Sequence, residues 1–315
     1  MDILNYSNNQ IKDIISKLLN KNIEITPIGN HELKRHLVYN VKNEDEIIGV
    51  FKTYYKKNRW NREVASLKFV DGSGIKAPQI LSFGKLKDGT EWLFMEYIEG
   101  ETLDSVKNII SEDNIKEIYE EIGEELGKIH NLKTFDFFGD WDENGNSIEN
   151  IKDFSMVFRK NVDATLKELF DQHLEEEKLQ RECAEILKGM LNLVDDVKVS
   201  YLHNGDFGER NILVKKVKDK WKLSALIDFE HCRPYDKDCE IIDCYYTLID
   251  ENETFAEAFK TGYEKYMKFP KDLEKKKELY ELYSGLSICS WAKIQAPEYY
   301  WEGIKILKKF SSDKN

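Results

Sequence analysis

The chain has 315 residues, of which 41% are hydrophobic, and its 59 acidic residues outnumber the 47 basic ones, giving a formal net charge of −12. A chain of this length buries a sizeable core and favours two domains or lobes, since one domain usually holds about 100 to 200 residues. Binding to a nucleic-acid backbone needs a positive surface, so the charge argues against a nucleic-acid partner and fits a neutral or cationic one. The same charge is also what keeps many cytoplasmic proteins soluble.

The cysteines and the apolar segments bear on where the protein works. Five cysteines are scattered along the chain without a C-x-x-C pair, which is unlike a disulfide scaffold or a zinc site. The N-terminus shows no basic stretch followed by an apolar core, and no segment approaches the roughly 20 apolar residues that span a bilayer. We therefore expect a cytoplasmic protein with reduced thiols and no membrane partner.

The first part of the chain predicts one helix followed by a sheet. The opening helix follows the possible caps Asn8 and Asn9 and should lie against the first sheet. Its apolar positions recur at helical spacing: Ile11, Ile14, Ile15, Leu18 and Leu19. From about residue 23 to 98 short strand-like runs alternate with turn signals, and one helix, "RWNREVASLKFV", interrupts them.

After "EGETL" the chain becomes mainly helical. Helical spacing covers "NIKEIYEEIGEELGKIHNL", roughly 161 to 197 and most of 252 to 310. Between them a hairpin is predicted, with strands at 212–217 and 222–227 around a Lys-Asp-Lys turn. The pattern indicates an α+β protein with an N-terminal lobe over residues 1–98 and a C-terminal lobe over residues 99–315.

Three oxygen-bearing side chains surround that hairpin. Asp206 and Asn211 precede its first strand in "YLHNGDFGERNILV", and Asp228 follows its second strand in "LSALIDFE". Phosphoryl transfer from a nucleotide needs a carboxylate to orient or deprotonate the acceptor hydroxyl, and a divalent cation held by oxygen ligands. Asp206 is the candidate catalytic carboxylate, while Asn211 and Asp228 are candidate Mg²⁺ ligands. Singly, such residues are common at turns and helix caps.

The first lobe offers residues that would position phosphates. Lys52 ends the strand-like run "IIGVFK", and Glu63 lies eleven residues later in the interrupting helix, where a carboxylate can hold the ammonium by ion pairing. Gly29 and Asn30 lie in a turn whose backbone amides could cover phosphates. The chain has neither a G-x-G-x-x-G loop nor the Walker pattern, which excludes the P-loop class.

These motifs resemble the aminoglycoside phosphotransferase and choline kinase-like family. "HNGDFGERNIL" is similar to that family's H-G-D-x-x-x-x-N-I-L segment, "LIDFE" to its metal-binding strand, and "MEYIEGETL" to its inter-lobe hinge. The resemblance implies a bilobal protein-kinase-like fold, ATP or GTP as donor, and a role for Asp206 as catalytic base. It further implies that the main chain of Glu96, Tyr97 and Ile98 holds the purine, with Met95 lining the pocket.

The chain departs from the family pattern at three places. Asn204 stands where the family has histidine, and His203 is displaced by one position. Glu209 stands where the family often has proline, and Arg210 is expected to form a surface salt bridge. None of these changes removes a group that the chemistry needs.

An acidic segment after Asp228 suggests the acceptor. Its carboxylates could form a rim that attracts an amine-bearing molecule, and the candidate acceptor-binding residues are Glu230, Asp236, Asp238 and Glu240. Alternatively, Asp243 caps a helix and the others are solvated. Late aromatic residues (Trp291, Tyr299, Tyr300 and Trp301) could wall the acceptor pocket or belong to the core.

The favoured function is a kinase that transfers the γ-phosphate of ATP or GTP to a hydroxyl of a small cationic molecule. An aminoglycoside-type antibiotic is the favoured acceptor, which would make the protein a resistance enzyme; choline, a sugar or another metabolite are alternatives. A catalytically silent nucleotide-binding module and a protein kinase remain open. The chain has "DFE" rather than D-F-G, and its A-P-E at Ala296 to Glu298 lies too far along to end an activation segment.

Overall fold

The N-terminal part of the protein is a five-stranded antiparallel sheet with two helices, one before the first strand and one between the third and fourth strands. The structure is a computed structural model that describes residues 6–31 and 35–311. The five strands lie in the order β1-β2-β3-β5-β4. They are β1 (Glu24–Ile28), β2 (His36–Asn43), β3 (Glu46–Tyr54), β4 (Ile80–Lys85) and β5 (Glu91–Met95).

The opening helix, α1 (Asn8–Leu19), packs on this sheet as predicted. Ile11 and Ile15 are fully buried in a core cluster with Tyr39, Phe51 and Trp92. The predicted caps, Asn8 and Asn9, were wrong, because Ser7 is the N-cap: its hydroxyl accepts from the Gln10 N–H, and the Gln10 side chain accepts from the Ser7 N–H in return.

The predicted interrupting helix is confirmed as α2 (Arg59–Val70). Trp60, Val64 and Leu67 are buried on its inner side, and the Trp60 indole N–H donates to the Trp92 carbonyl at 2.9 Å. This bond crosses from helix to sheet, so it fixes the face that α2 turns toward β3 and β5.

The C-terminal part is mainly helical. Its helices are α3 (Leu103–Val106), α4 (Glu112–Leu132), α5 (Phe154–Phe170), α6 (Glu177–Gly189), α7 (Lys237–Glu251), α8 (Glu253–Glu264), α9 (Leu273–Gln295) and α10 (Pro297–Lys308). The helical region predicted over roughly 161 to 197 contains α5 and α6, which a turn separates, and α5 begins earlier than predicted, at Phe154. Pro297 opens α10, which accounts for the A-P-E sequence as a helix start.

The C-terminal part also contains two small sheets, and one of them includes the predicted hairpin. The strands are β6 (Glu101–Thr102), β7 (Thr134–Phe135), β8 (Ser200–His203), β9 (Ile212–Val217), β10 (Lys220–Leu226) and β11 (Arg233–Tyr235). Strands β9 and β10 form the expected antiparallel pair, with Lys218 at a positive φ of 58° in the turn. The second strand starts two residues earlier than predicted, so Lys220 belongs to the strand.

Helices α4 and α8 cross at a pair of glycines. A Cβ at Gly123 would overlap the Phe259 carbonyl oxygen, and a Cβ at Gly262 would overlap the Glu120 carbonyl oxygen. The absence of side chains at these two positions therefore sets the closest approach of the two helices. Within the described part of the chain, no helix combines the length and the apolar content needed to cross a membrane.

The two parts of the protein pack directly on each other. Residues 96–100 join β5 to β6, the Ser224 hydroxyl donates to the Glu99 carbonyl at 2.8 Å, and the Leu226 N–H donates to the Lys76 carbonyl at 2.8 Å. The fold is thus the bilobal α+β fold expected from the sequence. The lobe boundary at residues 98 and 99, which falls inside the joining segment, stays a prediction.

Candidate active site

A buried lysine contacts carboxylates from both lobes. The Lys52 Nζ lies 2.8 Å from Glu63 Oε2, 2.6 Å from Asp228 Oδ1 and 2.9 Å from Glu230 Oε2. Glu63 comes from α2, whereas Asp228 and Glu230 follow β10 in the second lobe. The structure therefore brings together three residues that the sequence singled out for one site, and it adds Glu230 to them.

The position of Lys52 follows from the strand that carries it. In β3 it pairs with Val38 on one side and Leu93 on the other, and its side chain enters the interior, where it is 3% exposed. Burial alone would lower the pKa of Lys52, but the carboxylates of Asp228, Glu230 and Glu63 outweigh burial and raise that pKa well above its ordinary value. The carboxylates therefore favour the charged, ammonium form of Lys52.

Glu63 is held by more than the lysine. Its Oε2 also accepts from the Tyr54 hydroxyl at 2.6 Å, and its Oε1 accepts from the Phe229 N–H at 3.2 Å. The second bond reaches the residue next to Asp228 and so couples α2 to the end of β10. Tyr54 was not predicted as a site residue; its place two positions after Lys52 on the same strand face was the available signal.

Glu230 does not take the place predicted for it. The sequence assigned it to the acceptor, but its carboxylate is 3% exposed and lies 3.0 Å from His36 Nδ1 and 3.5 Å from Arg59 Nη1, besides its contact with Lys52. Burial would raise the pKa of Glu230, but the charge of Lys52, the hydrogen bond with His36 and the charge of Arg59 hold it well below its ordinary value. Glu230 thus belongs to the lysine cluster and faces the first lobe.

Residues 204–211, which we call the 204–211 loop, follow β8 and lead into β9. The Asp206 carboxylate is ion-paired with Arg210, the salt bridge expected for that arginine, although its partner is the candidate base. Burial raises the pKa of Asp206, with Asp228 adding to the effect and Arg210 opposing it. A carboxylate with a raised pKa is the better proton acceptor.

A buried carboxylate on α7 holds this loop from below. Glu240 Oε1 accepts from the Gly205 N–H at 2.8 Å and Glu240 Oε2 from the Asn204 N–H at 3.1 Å, while His130 Nε2 lies 3.1 Å from Oε2. Burial would raise the pKa of Glu240, but His203, His130 and the Gly205 amide outweigh it and lower that pKa to about 2. Glu240, predicted to bind the acceptor, is therefore committed to the loop backbone.

The loop also contains Asn204, which stands where the family has histidine. The Asn204 Oδ1, at the position where the family has histidine, accepts from the Asp206 N–H at 3.1 Å and so takes up a backbone donor of the loop. Gly205 has a φ of +79°, and a Cβ there would lie 3.0 Å from the His231 carbonyl oxygen. Only glycine fits this turn without strain.

Asn211 and Asp228 are arranged in a way that fits a hard cation. The Asn211 carbonyl accepts from the Ile227 N–H at 2.9 Å, which places Asn211 beside Asp228. The Asn211 Nδ2 donates to the Asp206 carbonyl at 2.9 Å, so its Oδ1 is the atom left for a ligand role. Asp228 has a φ of +63°, an unusual conformation outside glycine that functional sites often contain.

Another trio of carboxylates is less suited to a metal. Oxygen atoms of Glu63, Asp228 and Glu230 lie within 4.8 Å of one another. Each of these residues, however, already contacts the Lys52 ammonium at 2.9 Å or less. The lysine fills the centre of this trio, so Asn211 with Asp228 is the better donor set for Mg²⁺.

The predicted purine-binding segment connects the two lobes. Met95 ends β5 and is buried in the large core cluster, as core packing or a pocket lining would both require. The Glu96 N–H already donates to the Gln79 carbonyl at 2.9 Å, which removes it as a donor to a base. In the described residues no protein group accepts from the N–H of Tyr97 or Ile98.

Gly29 and Asn30 begin the turn between β1 and β2. Gly29 has a φ of +74°, and a Cβ there would meet open space. The next residues, 32–34, lie outside the described residues. Phosphate covering by this turn stays a prediction.

Two carboxylates of the predicted acidic rim, Asp236 and Asp238, are paired inside the protein. Asp236 is buried, caps α7, accepts from the Tyr280 hydroxyl at 2.6 Å and lies 2.9 Å from Lys276 Nζ. Asp238 contacts both Lys276 and Lys237 at 2.8 Å. These carboxylates have internal cationic partners, and Asp236 rather than Asp243 is the helix cap.

A cavity of about 450 Å³ lies below the loop, between α7 and α9, and we call it the α7–α9 cavity. Gly205 and Phe207 of the loop line it, as do Asp243 and Glu281, for which the described residues offer no ion-pair partner. Asp243 is solvent-exposed at the cavity, yet the surrounding protein partly desolvates its carboxyl group and raises its pKa to about 6, and the carboxylates of Glu240, Asp206 and Glu281 add to the effect. The sequence placed Asp243 in the acidic segment near the metal site but did not name it as an acceptor-binding residue, although its spacing of three from Glu240 in a helix was a usable signal.

The late aromatic residues do not line this cavity. Tyr300 is fully buried in the core, its hydroxyl donating to the Glu175 carbonyl, whereas Tyr299 and Trp301 are exposed on α10. The walls of the cavity are instead tyrosines of three elements: Tyr235, Tyr246, Tyr280 and Tyr283.

Comparison with known proteins identifies the fold. The chain aligns over 96% of its length, and over 99% of the other chain, with the apo form of a thermostable mutant of aminoglycoside phosphotransferase APH(4)-Ia, at 11% identity and a TM-score of 0.71. A second APH(4)-Ia structure, a ternary complex with ADP and hygromycin B, gives 13% identity, 95% and 98% coverage, and a TM-score of 0.70. The GDP and kanamycin complex of APH(2")-IIIa has 15% sequence identity and a TM-score of 0.67, and the alignment covers 98% of this chain and 100% of the other.

The comparison by sequence is narrower but decisive about the family. No curated protein sequence matches significantly. The family model described as "Phosphotransferase enzyme family" matches residues 39–279, well over half of the chain, and this range contains Lys52, the 204–211 loop and Asp228. The protein therefore belongs to the phosphotransferase enzyme family.

Proposed function

We propose that the protein is a kinase that transfers the γ-phosphate of ATP or GTP to a hydroxyl of a small, amine-bearing molecule. The observation that carries this proposal is the lysine cluster: a buried Lys52 holds Glu63 of α2 and Asp228 at the end of β10, next to the loop that contains Asp206 and Asn211. Family membership and the nucleotide complexes of the structural neighbours support it.

On the donor side, Lys52 would bind the nucleotide phosphates. Its ammonium contacts three carboxylates, and phosphate oxygens would replace Asp228 and Glu230 while Glu63 keeps the side chain in place through its bonds to Tyr54 and Phe229. Asn211 and Asp228 would hold Mg²⁺, which neutralises charge on the phosphates when bound. The N–H of Ile98 would donate to the purine.

At the acceptor, Asp206 would act as the base. The acceptor oxygen attacks the γ-phosphorus, the bond from that phosphorus to the bridging oxygen breaks, and the acceptor proton passes to the Asp206 carboxylate as the nucleoside diphosphate leaves. The raised pKa of Asp206 favours this role. Asn211 supports it through its bond to the Asp206 carbonyl, and Glu240 fixes the two preceding residues.

The acceptor would occupy the α7–α9 cavity. Its volume of about 450 Å³ lies in the usual range for small-molecule sites, and Asp243 and Glu281 offer carboxylates to amines. Aminoglycoside-type antibiotics are the first acceptors to test, which would make the protein a resistance enzyme; choline, sugars and other metabolites are the alternatives. A protein substrate is disfavoured because the segment from Asp228 to α7 is short and folds into β11.

The test is release of nucleoside diphosphate over a panel of hydroxylated acceptors, with ATP and with GTP. We expect acceptor-dependent release with at least one nucleotide and a phosphorylated acceptor detected by mass spectrometry. Nucleotide binding without transfer to any acceptor would instead favour a silent nucleotide-binding module. Phosphate incorporation into protein substrates faster than into any small molecule would favour a protein kinase.

A further inference from the structure

Two polar side chains of the α7–α9 cavity have nitrogen atoms that the protein leaves unsatisfied. The Arg233 Nε and the His203 Nδ1 are buried and have no hydrogen-bond partner among the described residues. Both residues line the cavity. Buried polar groups without partners are rare and call for a ligand or solvent to satisfy them.

The sheet places these two side chains side by side. Arg233 of β11 pairs directly with His203 of β8, so both project from the same face, and Tyr235, two residues along, projects from that face as well. The Arg233 guanidinium lies over the Tyr235 ring at 4.4 Å from its centroid, and the His203 ring lies 5.2 Å from the same ring. The Tyr235 ring thus contacts both Arg233 and His203, and all three side chains line the cavity.

Arg233 has no ion-pair partner among the described residues. Within the described residues no carboxylate lies within 4.0 Å of it, whereas Arg59 reaches Glu230 and Arg62 lies 2.6 Å from Asp140. Asp140, whose negative charge also raises the pKa of Arg233, is therefore ion-paired with Arg62 instead. Burial lowers the pKa of His203 to about 4, which makes its imidazole neutral at pH 7. This corner of the cavity therefore offers one positive charge and one neutral imidazole.

Two other residues that line the cavity have the complementary charge. Asp243 from α7 and Glu281 from α9 line the cavity and have no ion-pair partner among the described residues. The cavity therefore presents an unpaired cation and unpaired carboxylates to the same ligand. A molecule that carries only amines would leave Arg233 without a partner, and a phosphate dianion would exceed the single charge that Arg233 can offset.

We propose that the acceptor is a hydroxylated zwitterion whose carboxylate binds Arg233 and His203 while its amine faces Asp243 and Glu281. This inference rests on the kinase function proposed above and narrows its acceptor class, because aminoglycosides have the amines but lack the acid. Arginine suits the role, since its planar fork matches a carboxylate.

Matched acceptor pairs that differ mainly in the carboxylate test the proposal. The pairs are serine with ethanolamine, homoserine with 3-aminopropan-1-ol, and glucosaminic acid with glucosamine, and kanamycin serves as the amine-only reference. We expect the acid-bearing member of at least one pair to have a kcat/KM larger by about tenfold or more, the scale of one charge-assisted contact. Equal or lower values for the acids in every pair, or efficient turnover of kanamycin alone, would overturn the proposal but leave the kinase function intact.

Two variants locate the effect. Arg233→Gln should reduce the ratio of acid to amine turnover to near one, and Arg233→Lys should restore part of it, while the matched control Arg181→Gln, an exposed arginine on α6, should keep the ratio of the wild type. An unchanged ratio in Arg233→Gln would contradict the assignment.

A binding experiment separates this inference from the proposed function. If no acceptor is phosphorylated, the kinase proposal fails, and calorimetric titration of glucosaminic acid and glucosamine into the wild type and Arg233→Gln decides about the site. Preferential binding of the acid that is lost in Arg233→Gln supports the site. Equal binding of the two compounds, or of the acid by both proteins, refutes it.

Discussion

Replacing Glu240 by glutamine tests how the 204–211 loop is held. The carboxylate accepts from the N–H groups of Asn204 and Gly205 and lies against His130, and it is almost entirely buried. A glutamine would retain one acceptor oxygen but turn an NH₂ group toward the second backbone donor. The loop would then have a buried donor without a partner.

The pKa of Glu240 gives the magnitude. It falls from 4.5 to about 2, which would correspond to about 3 kcal/mol in the free energy of unfolding, since one pKa unit is worth about 1.4 kcal/mol. Part of that lowering comes from the charge of His203, whose imidazole is neutral at pH 7, so the loss expected at pH 7 is about 1 to 3 kcal/mol, the cost of a buried donor without a partner. Because the folded-state pKa is lowered, the contribution is present above pH 4.5 and is lost as the pH falls toward 2. Glu240→Gln should therefore be less stable by about 1 to 3 kcal/mol at pH 7 and should lose the wild-type pH dependence in that window.

Urea unfolding of the wild type, Glu240→Gln and the control Glu278→Gln checks this. Glu278 is exposed on α9, so its replacement should change the free energy of unfolding by less than about 0.5 kcal/mol. A Glu240→Gln protein as stable as Glu278→Gln, with wild-type pH dependence, would show that the carboxylate does not carry the loop.

Three further predictions concern the site. Lys52→Met leaves buried carboxylates without their cation, so it should lower the free energy of unfolding by about 3 kcal/mol or more and weaken nucleotide affinity in calorimetry; a stable variant with wild-type affinity would contradict the cluster. Gly205→Ala, at a φ of +79° and against the His231 carbonyl, should lose about 1 to 3 kcal/mol in denaturant unfolding and most turnover, whereas unaltered kinetics would refute a tight loop. Because the pKa of Asp243 is raised to about 6, an amine acceptor should show a KM that rises as the pH falls through 6, and Asp243→Asn should have a flat profile at the higher KM.

The fold and the centre of the site were predictable because their signals are local or paired through one hairpin. Asp206, Asn211 and Asp228 surround β9 and β10, so the antiparallel pairing alone brings them close. Lys52 and Glu63 lie on a strand and the helix that follows it, eleven residues apart. The alternation of the strands and the spacing of the helices supplied the remaining outline.

The partners of the other acidic residues were not predictable, because they depend on contacts between distant segments. Glu230 and Glu240 are both glutamates of the segment after Asp228, yet Glu230 contacts Lys52 whereas Glu240 accepts hydrogen bonds from the loop backbone. Asp236, Asp238 and Asp243 lie close together in the sequence. Lys276 pairs with Asp236 and Asp238, while Asp243 lines the cavity, and this difference depends on how α7 packs against α9. A count of charges cannot separate buried carboxylates from those open to a ligand.

The most direct test of the proposed kinase activity compares the wild type with Asp206→Asn, using an acceptor that the wild type phosphorylates. The variant keeps the size of the side chain and removes the base, so turnover should fall by about 100-fold or more while nucleotide affinity stays within a few-fold of the wild type. Turnover by Asp206→Asn near the wild-type rate would contradict the role of Asp206 and the phosphoryl-transfer scheme built on it.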